Sequence, residues 1–240
     1  FGGRGVTALA VSPDGRLIAG RSGSDTRIWD LEMSEFVSEL KGATDVQGLA
    51  FSADSSRLIA ASGRNWTVRF QQLQWNVRTG EQLIPLANEV NIMDVAYSPD
   101  GQTLATAGYT YDSDPPVMLW DTESGELLRE FSGSDRPVAT LDLSNDGEHL
   151  ATGSWSGDVH LYDMNAGAER HRLDGRSLVR DLSFSPDGRH LVVGHRDRKL
   201  RVWDYRTAEL VRTIDTGMDI ADLIVPASSS SVIVTSKDGR

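Results

Sequence analysis

One arrangement of apolar and turn residues occurs five times in this chain and constrains its fold more than any other feature. Successive copies of its turn serine are 40, 46, 46 and 41 residues apart, at Ser12, Ser52, Ser98, Ser144 and Ser185. Periods of this length are typical of folds that stack one small structural unit repeatedly. The core is therefore expected to lie between neighbouring copies.

The fifth copy, residues 178–214, shows the unit most clearly. Leu182 and Phe184 alternate with Ser183, which is the period of two expected of a strand. Ser185–Gly188 reads Ser-Pro-Asp-Gly and is typical of a hairpin turn, because its proline presets φ, its serine and aspartate bond nearby amides and its glycine accepts a positive φ. Two more polar turns separate the strands that follow. The unit is predicted to be a four-stranded antiparallel meander.

Each turn serine follows two apolar residues in alternating positions. These residues predict a first strand packed between neighbouring sheets, and they are Leu9 and Val11, Leu49 and Phe51, Val95 and Tyr97, Leu141 and Leu143, and Leu182 and Phe184.

An aromatic residue followed by aspartate or asparagine marks the third strand of each copy: Trp29-Asp30, Trp75-Asn76, Trp120-Asp121, Tyr162-Asp163 and Trp203-Asp204. Gly80, Gly125 and Gly167 each fall four residues past the aspartate or asparagine. At these residues the chain resembles the WD-repeat (WD-40) β-propeller family, and its Ser-Pro-Asp-Gly-Arg turns resemble the family's bacterial members. The resemblance implies an all-β propeller of four-stranded antiparallel blades.

The repeats predict a single WD-repeat propeller domain over residues 1–240. Its blades are expected near 1–40, 41–86, 87–131, 132–173 and 174–214, with the inner half of a sixth in 215–240. Because that last copy stops before its third strand, we expect the chain to be part of a longer propeller whose missing blades come from the rest of a longer protein. The alternative is an open assembly whose exposed strand edge is prone to pairing.

The chain departs from the family pattern before each first strand. The family's Gly-His pair is replaced, for example by Asp174-Gly175-Arg176. Asp197 matches the family's turn aspartate but lacks its histidine partner. The buried Asp-His-Ser/Thr-Trp network of the family is therefore expected to be incomplete, and apolar packing around the tryptophans is expected to hold the blades together.

Composition excludes several classes of protein. The chain is 39% hydrophobic and 25% charged, with no apolar run of membrane-spanning length, so a water-soluble, cytoplasmic protein without membrane contact is expected. The absence of cysteine excludes disulfides and thiolate metal sites. A formal charge of -11 opposes binding to a phosphate backbone, and the most basic stretch, Arg196–Arg201, is interpreted as a solvated strand edge, so no nucleic-acid partner is expected.

Catalytic signatures are also missing from the sequence. Gly153–Gly157 places Trp155 where a nucleophile elbow needs serine, and no phosphate-binding loop occurs. His149 and His190 are equivalent in the repeat, which indicates a local structural role. We expect a chain that is not an enzyme and has neither cofactor nor metal.

Two copies carry about five extra residues between their second and third strands. The insertion in the second copy contains Arg64, Asn65, Trp66 and Phe70, and that in the third contains Tyr109, Tyr111, Asp112, Asp114, Pro115 and Pro116. Aromatic residues mixed with charges on loops suit a recognition surface. Both loops are expected on the face that also carries the links between blades.

Two alternatives remain open for the second insertion. Trp66 and Phe70 are equally compatible with covering a neighbouring blade. Residues 67–70 are also compatible with being the third strand themselves, which would move the insertion to the opposite face.

A second candidate surface is the entrance of the propeller's channel. Met93 and Arg180 lie one residue into their first strands, at the same place as Thr7, Gln47, Ala139 and Ala221. The neighbouring positions carry Asp94, Asp181 and Asp222, which are also equivalent. Three such carboxylates are compatible with binding a cation or a basic peptide, but bonding to backbone or turn groups is favoured because they recur with the repeat.

The sequence therefore predicts a non-catalytic protein–protein interaction scaffold, as the sensory or scaffolding segment of a larger signalling protein. Its predicted partner-binding residues are Arg64, Asn65, Trp66, Tyr109, Tyr111, Asp112, Asp114, Met93 and Arg180. The alternative is an enzyme or a propeller that binds a small ligand or cation through Asp94, Asp181 and Asp222.

Overall fold

The computed structural model describes residues 6–22, 25–40, 46–62, 72–83, 91–109, 117–132, 134–225 and 231–236. Within these ranges the secondary structure consists of β-strands arranged in six sheets. The chain divides into two compact units, Phe1–Gly108 with Met118–Arg129, and Tyr109–Val117 with Glu130–Arg240.

The first unit is built on three sheets, in which strands adjacent in sequence are adjacent in space. The first sheet contains β1 (Val6–Val11), β2 (Leu17–Ser22), β3 (Asp25–Asp30) and β4 (Glu35–Leu40). The second contains β5 (Val46–Phe51), β6 (Arg57–Ser62) and β7 (Gln72–Asn76). The third contains β8 (Asn91–Tyr97), β9 (Thr103–Tyr109), β10 (Val117–Asp121) and β11 (Leu127–Phe131).

The second unit has the same organisation. Its first sheet contains β12 (Val138–Leu143), β13 (His149–Ser154), β14 (Asp158–Asp163) and β15 (Ala168–Asp174). The next contains β16 (Val179–Phe184), β17 (His190–His195), β18 (Lys199–Asp204) and β19 (Glu209–Asp215). The last contains β20 (Ile220–Ile224) and β21 (Ile233–Ser236). The predicted all-β fold of four-stranded antiparallel blades, ending in the inner half of a sixth, is confirmed.

The turn between the first and second strands has the predicted hydrogen bonds. The Ser185 hydroxyl donates to Asp187 Oδ1 at 2.5 Å and accepts from the His190 amide at 2.9 Å. The hydrogen bond from Ser185 lowers the pKa of Asp187. The same serine-to-aspartate bond, at 2.5 or 2.6 Å, closes the turns at Ser12, Ser52, Ser98 and Ser144. Each repeat therefore fixes its first hairpin locally.

The residue after each aromatic anchor caps the turn between the third and fourth strands. Asp204 Oδ1, for example, accepts hydrogen bonds from the amides of Arg206 at 3.1 Å and Thr207 at 3.3 Å. Four residues past the cap the backbone is left-handed in all five turns, with φ of 55°, 67°, 73°, 66° and 60° at Ser34, Gly80, Gly125, Gly167 and Ala208. Two copies therefore hold a non-glycine residue in a conformation that favours glycine.

The second sheet decides between the two alignments of its third strand. Trp75 in β7 pairs with Leu58 in β6, and Asn76 pairs with Arg57. The anchor at Trp75-Asn76 is therefore confirmed, and the alternative third strand at residues 67–70 is wrong, although those residues themselves lie outside the described part of the chain.

The apolar core lies between neighbouring sheets. In the first unit, Ile28 of the first sheet and Leu58 and Trp75 of the second belong to one buried cluster. In the second unit, Leu161 packs in a cluster with Leu182 of the next sheet. Burying these large side chains supplies the main driving force for stacking the blades.

The prediction that every first-strand apolar pair is buried is wrong in the first sheet. Leu9 and Val11 are each 48% exposed, whereas Ala10 packs against the cluster shared with the second sheet. Because side chains alternate along a strand, Leu9 and Val11 face away from that sheet. In the second sheet the corresponding face is covered by the first sheet, as at Phe51, which is 6% exposed and lies in the buried cluster that the two sheets share.

A β-bulge recurs near the start of the first strand. The register shifts between Val6 and Ala8 in β1, and likewise in β5, β12, β16 and β20. The residue passed over by each shift is Thr7, Gln47, Ala139, Arg180 or Ala221. A bulge leaves one residue out of the ladder and re-aims its side chain.

The buried tryptophans differ in their polar contacts. Trp120 Nε1 donates to the hydroxyl of Thr106 at 2.9 Å, and both residues are buried. Trp203 Nε1 is buried without a partner among the described residues, and Val193 stands where the third repeat has Thr106. Asp197 pairs with Arg201, with Nη2 2.6 Å from Oδ2, instead of with a histidine. The family's polar network is therefore incomplete in this blade, as expected.

Candidate interaction surface

The insertions predicted to bind a partner lie largely outside the described residues. Arg64, Asn65, Trp66, Phe70, Tyr111, Asp112, Asp114, Pro115 and Pro116 all belong to this group. Tyr109 is described and is the half-buried last residue of β9. Since each sheet is a meander, the loop after a second strand emerges at the same sheet end as the link to the next blade. We call this end of a sheet the link end.

Met93 and Arg180 occupy the half-buried start of β8 and β16. Arg180 is the bulge residue of β16, because Val179 pairs with His195 and Asp181 with Gly194. Its guanidinium is therefore carried by a residue outside the regular ladder, near the link end of its sheet.

Asp181 of β16 contacts the first strands of both neighbouring blades, β12 and β20, in the second unit. Its Oδ1 accepts hydrogen bonds from its neighbour Leu182 at 2.9 Å and from the Thr140 hydroxyl at 3.0 Å. Its Oδ2 accepts from the amide of Leu223 in β20 at 2.6 Å. The carboxylate thus satisfies a backbone donor on the free edge of the next blade's first strand, so the favoured structural role is confirmed for this residue.

Asp142 forms a second bond of this kind, which the sequence did not reveal. Its Oδ1 accepts from the amide of Leu143 and its Oδ2 from the amide of Phe184 in β16, both at 2.9 Å. Desolvation by the surrounding strands raises the pKa of Asp142 to about 6, against the effect of both amide donors. The one sign of this contact in the sequence is that Asp142 occupies a position where other repeats have a small residue such as Ala50.

The two other repeat-equivalent aspartates have different surroundings. Asp94 Oδ1 accepts from the amide of Val95 at 2.9 Å, and a Cβ on Gly48 of β5 would lie 3.1 Å from the same oxygen. Asp222 is exposed. Equivalence in the repeat therefore does not give Asp94, Asp181 and Asp222 one common environment.

A group of possible metal ligands occurs elsewhere, at the turn after β12. Asp146, Glu148 and His149 each place a ligand atom within 4.8 Å of the others. The guanidinium of Arg170 lies 3.3 Å from His149 Nε2, and that of Arg206 lies 3.6 Å from Asp146 Oδ2. Two neighbouring cations disfavour a metal ion here and favour a turn stabilised by its own ion pairs.

The link end of the second unit presents an exposed tryptophan. Trp155 follows β13, is 46% exposed, and donates its backbone N–H to the carbonyl of Pro137 at 3.0 Å. Two residues on, Gly157 accepts from the amide of Gly175 at 3.2 Å in the next link. The sequence singled out Trp155 only as the residue that breaks a catalytic motif, and its exposure was not predicted.

The link beside Trp155 is held tightly against β17. His195 Nδ1 lies 2.7 Å from the carbonyl oxygen of Ser177, and burial lowers the pKa of His195. A Cβ on Gly175 would lie 2.1 Å from the His195 ring. Glycine is thus required where the family pattern has its Gly-His pair, because the ring of His195 fills that space.

Among the described residues no helix is long and apolar enough to cross a bilayer.

The stacked meanders, with tryptophan or tyrosine anchors and aspartate-capped turns, define a partial β-propeller. A family model described as "WD domain, G-beta repeat" matches residues 1–30, 34–70 and 82–115, and one described as "Nucleolar protein 10-like, N-terminal domain" matches residues 117–240. The chain belongs to the WD-repeat β-propeller family, as its sequence motifs predicted.

Curated relatives cover most of this chain. It is 27% identical to "Periodic tryptophan protein 2" of Arabidopsis thaliana over 90% of this chain and 24% of that protein. It is 24% identical to "COMPASS component SWD3" of Saccharomyces cerevisiae over 87% of this chain and 67% of that protein. It is 30% identical to "Target of rapamycin complex subunit wat1" of Schizosaccharomyces pombe over 77% of this chain and 58% of that protein. The chain thus spans from about a quarter to two thirds of the length of these relatives.

Proposed function

We propose that this chain is a non-catalytic scaffold that binds a protein or peptide partner through the link ends of its blades. The observation that carries the proposal is a framework of repeated sheets whose two lengthened loops carry aromatic and charged residues. Two of the relatives are named as a component or subunit of a complex, which supports the same role. Binding residues are commonly placed on loops held by such a framework.

The proposal also covers where the chain acts and what kind of protein it belongs to. We propose that the chain acts in the cytoplasm as the sensory or scaffolding segment of a larger signalling protein. A protein partner is preferred over nucleic acid because the formal charge is -11. The proposal does not include a membrane partner.

The alternative of a cation or small-ligand site at Asp94, Asp181 and Asp222 has less support. The Asp181 oxygens accept bonds from two backbone amides and a hydroxyl, so metal coordination there would require losing them. Because the Asp181 carboxylate is already bonded to backbone amides, the scaffold is the better proposal.

The test is affinity purification with the whole chain as bait, followed by reconstitution of the recovered complex from purified components. Trp66→Ala, Tyr109→Ala and Tyr111→Ala are each expected to weaken the complex by about tenfold or more, as for aromatic anchors of interfaces. Leu210→Ala, at an exposed position on outer strand β19, is the matched control. Failure to reconstitute any complex would overturn the proposal, whereas a complex unaffected by all three alanines would remove the insertions from it.

A further inference from the structure

Trp155 and two nearby arginines form an apolar and positively charged surface on a chain whose formal charge is -11. We call the exposed residues Trp155, Arg176 and Arg196, at the link end of the second unit, the Trp155 surface. We infer that this surface binds an acidic peptide segment of a partner protein. The inference rests on the proposed scaffold function and assigns it a site and a class of ligand.

Backbone contacts bring the three segments together. The turn after Trp155 reaches the next link, where a Cβ on Gly157 would lie 2.7 Å from the carbonyl oxygen of Ser177. That link then receives a hydrogen bond from Arg196, whose amide donates to the carbonyl of Leu178 at 2.9 Å. Arg176 lies within the link, so the indole is flanked by segments that each carry an exposed guanidinium.

The cationic groups on this surface are available to a partner. The other arginines nearby are paired: Arg198 Nε lies 2.8 Å from Asp219, and Arg201 pairs with Asp197. Within the described part of the chain, Arg176 and Arg196 belong to no ion pair, and the bulge residue Arg180 shares that property.

The exposed carboxylate of Asp174 partly opposes the inferred ligand. Asp174 is exposed, and its Oδ1 accepts a hydrogen bond from the backbone amide of Arg176 at 2.9 Å. That oxygen therefore fixes the link, and the free guanidiniums of Arg176, Arg180 and Arg196 outnumber this carboxylate.

The backbone of Arg176 shows that this residue can be replaced by glycine without disturbing the link. Arg176 has φ of 62°, and the equivalent position of the next link is Gly217, with φ of 67°. Both amides donate to the aspartate two residues earlier, at 2.9 and 3.0 Å. Arg176 thus adopts a backbone conformation that the next link gives to glycine, so Arg176→Gly removes the guanidinium and the Cβ penalty together.

These features fit a short acidic peptide better than a nucleic acid. An indole gives an apolar anchor, and arginine forks bind carboxylates in a bidentate manner. A polynucleotide would bring many phosphates against a chain whose formal charge is -11, while the basic surface is confined to a few residues. A peptide with a few glutamates around an apolar residue matches the size of the surface.

The probe for the test is a fluorescein-labelled peptide in which glutamates surround leucine and phenylalanine, titrated with the whole chain by fluorescence anisotropy. Its control is the same peptide with lysine in place of glutamate. Saturable, salt-sensitive binding of the glutamate peptide is expected, at least tenfold tighter than the lysine peptide. Equal binding of the two peptides, or none, would overturn the inference.

Variants localise the binding. Trp155→Ala and Arg196→Ala are expected to weaken it about tenfold, and so is Arg176→Gly, which copies Gly217 and should fold at least as well as the parent. Leu210→Ala and Arg212→Ala, exposed on β19, should bind like the parent. Binding unchanged in the first three variants, or competed equally well by an oligothymidylate, would count against a peptide site here.

The outcome also separates this inference from the scaffold proposal. If the complex reconstituted from purified components forms normally with Trp155→Ala and Arg176→Gly, the Trp155 surface is ruled out while the scaffold function stands. If no complex can be reconstituted but the glutamate peptide binds as described, the surface stands as a peptide site and the larger scaffold role fails.

Discussion

The carboxylate of Asp142 reaches from β12 to the next blade, where its Oδ2 lies 2.9 Å from the backbone nitrogen of Phe184 in β16. Asp181 makes the corresponding connection to Leu223 at 2.6 Å. First strands have a free edge, and an unpaired edge amide is costly to bury. Two blades of the second unit therefore use a carboxylate as the missing acceptor.

Titration of Asp142 should make the free energy of unfolding depend on pH. Comparison with Asp142→Asn separates this contribution from those of the other titratable groups. Its pKa is about 6 in the folded chain, above the ordinary value of 3.8, so the folded state binds the proton more tightly. Stability from this group is then complete below about pH 4 and is lost as the pH rises through 6. Relative to Asp142→Asn, the parent's free energy of unfolding should rise by about 2 kcal/mol from pH 7 to pH 4.

Urea denaturation of both proteins across this range provides the measurement. Asp222→Asn, at an exposed aspartate, controls for the general effect of removing a carboxylate. A constant difference between the parent and Asp142→Asn at all pH values would contradict the raised pKa.

The left-handed residue after the third strand gives a prediction about local strain. Ser34→Gly should raise the free energy of unfolding by about 0.5 to 1 kcal/mol, because glycine adopts a positive φ without the Cβ penalty. Gly80→Ala should lower the free energy of unfolding by a similar amount, because alanine at this positive φ incurs the Cβ penalty. The added Cβ would meet only Ser38 Cβ at 3.8 Å, so no steric clash adds to the loss. Thermal or urea unfolding measures both, and a loss of stability in Ser34→Gly would show that its turn depends on the serine side chain.

The buried tryptophans give a reciprocal pair of substitutions. Thr106→Val leaves Trp120 Nε1 without its acceptor and should destabilise the chain by about 1 to 3 kcal/mol. Val193→Thr supplies a hydroxyl at the equivalent position near Trp203 Nε1 and should stabilise it by about 1 kcal/mol.

Near-ultraviolet circular dichroism would show whether each indole keeps its environment, while urea unfolding gives the free energy. Val192→Thr, a neighbouring buried valine at a different register, serves as the control and should destabilise by burying an unpaired hydroxyl. Equal destabilisation by Val193→Thr and Val192→Thr would mean that Trp203 Nε1 does not donate a hydrogen bond to the introduced hydroxyl.

The sequence predicted the features whose causes are local. The hairpin at Ser185 and Asp187 was readable because its donors and acceptors lie within five residues of one another. The strand at Trp75 was readable because its anchor keeps the register of the other repeats. In both cases the chemistry and the spacing occur in one short segment.

Features that depend on the neighbouring sheet were not predictable in the same way. Alternation shows that Leu9 and Val11 share a face, but not which face another sheet covers. Asp142 bonds to a residue 42 positions further on, and nothing near it in sequence indicates that contact. The exposure of Trp155 likewise follows from how its turn meets the next link.

The recurring bulge in the first strand has an evolutionary consequence. The ladder on either side of Arg180 keeps its register whatever side chain that residue carries, so substitutions there do not disturb the pairing of β16 with β17. The equivalent residues are already diverse, namely Thr7, Gln47, Ala139 and Ala221, while the turn serine is identical in every complete repeat. The five first strands with this bulge thus each offer one position where a new specificity can be tried without changing the pairing of the strand.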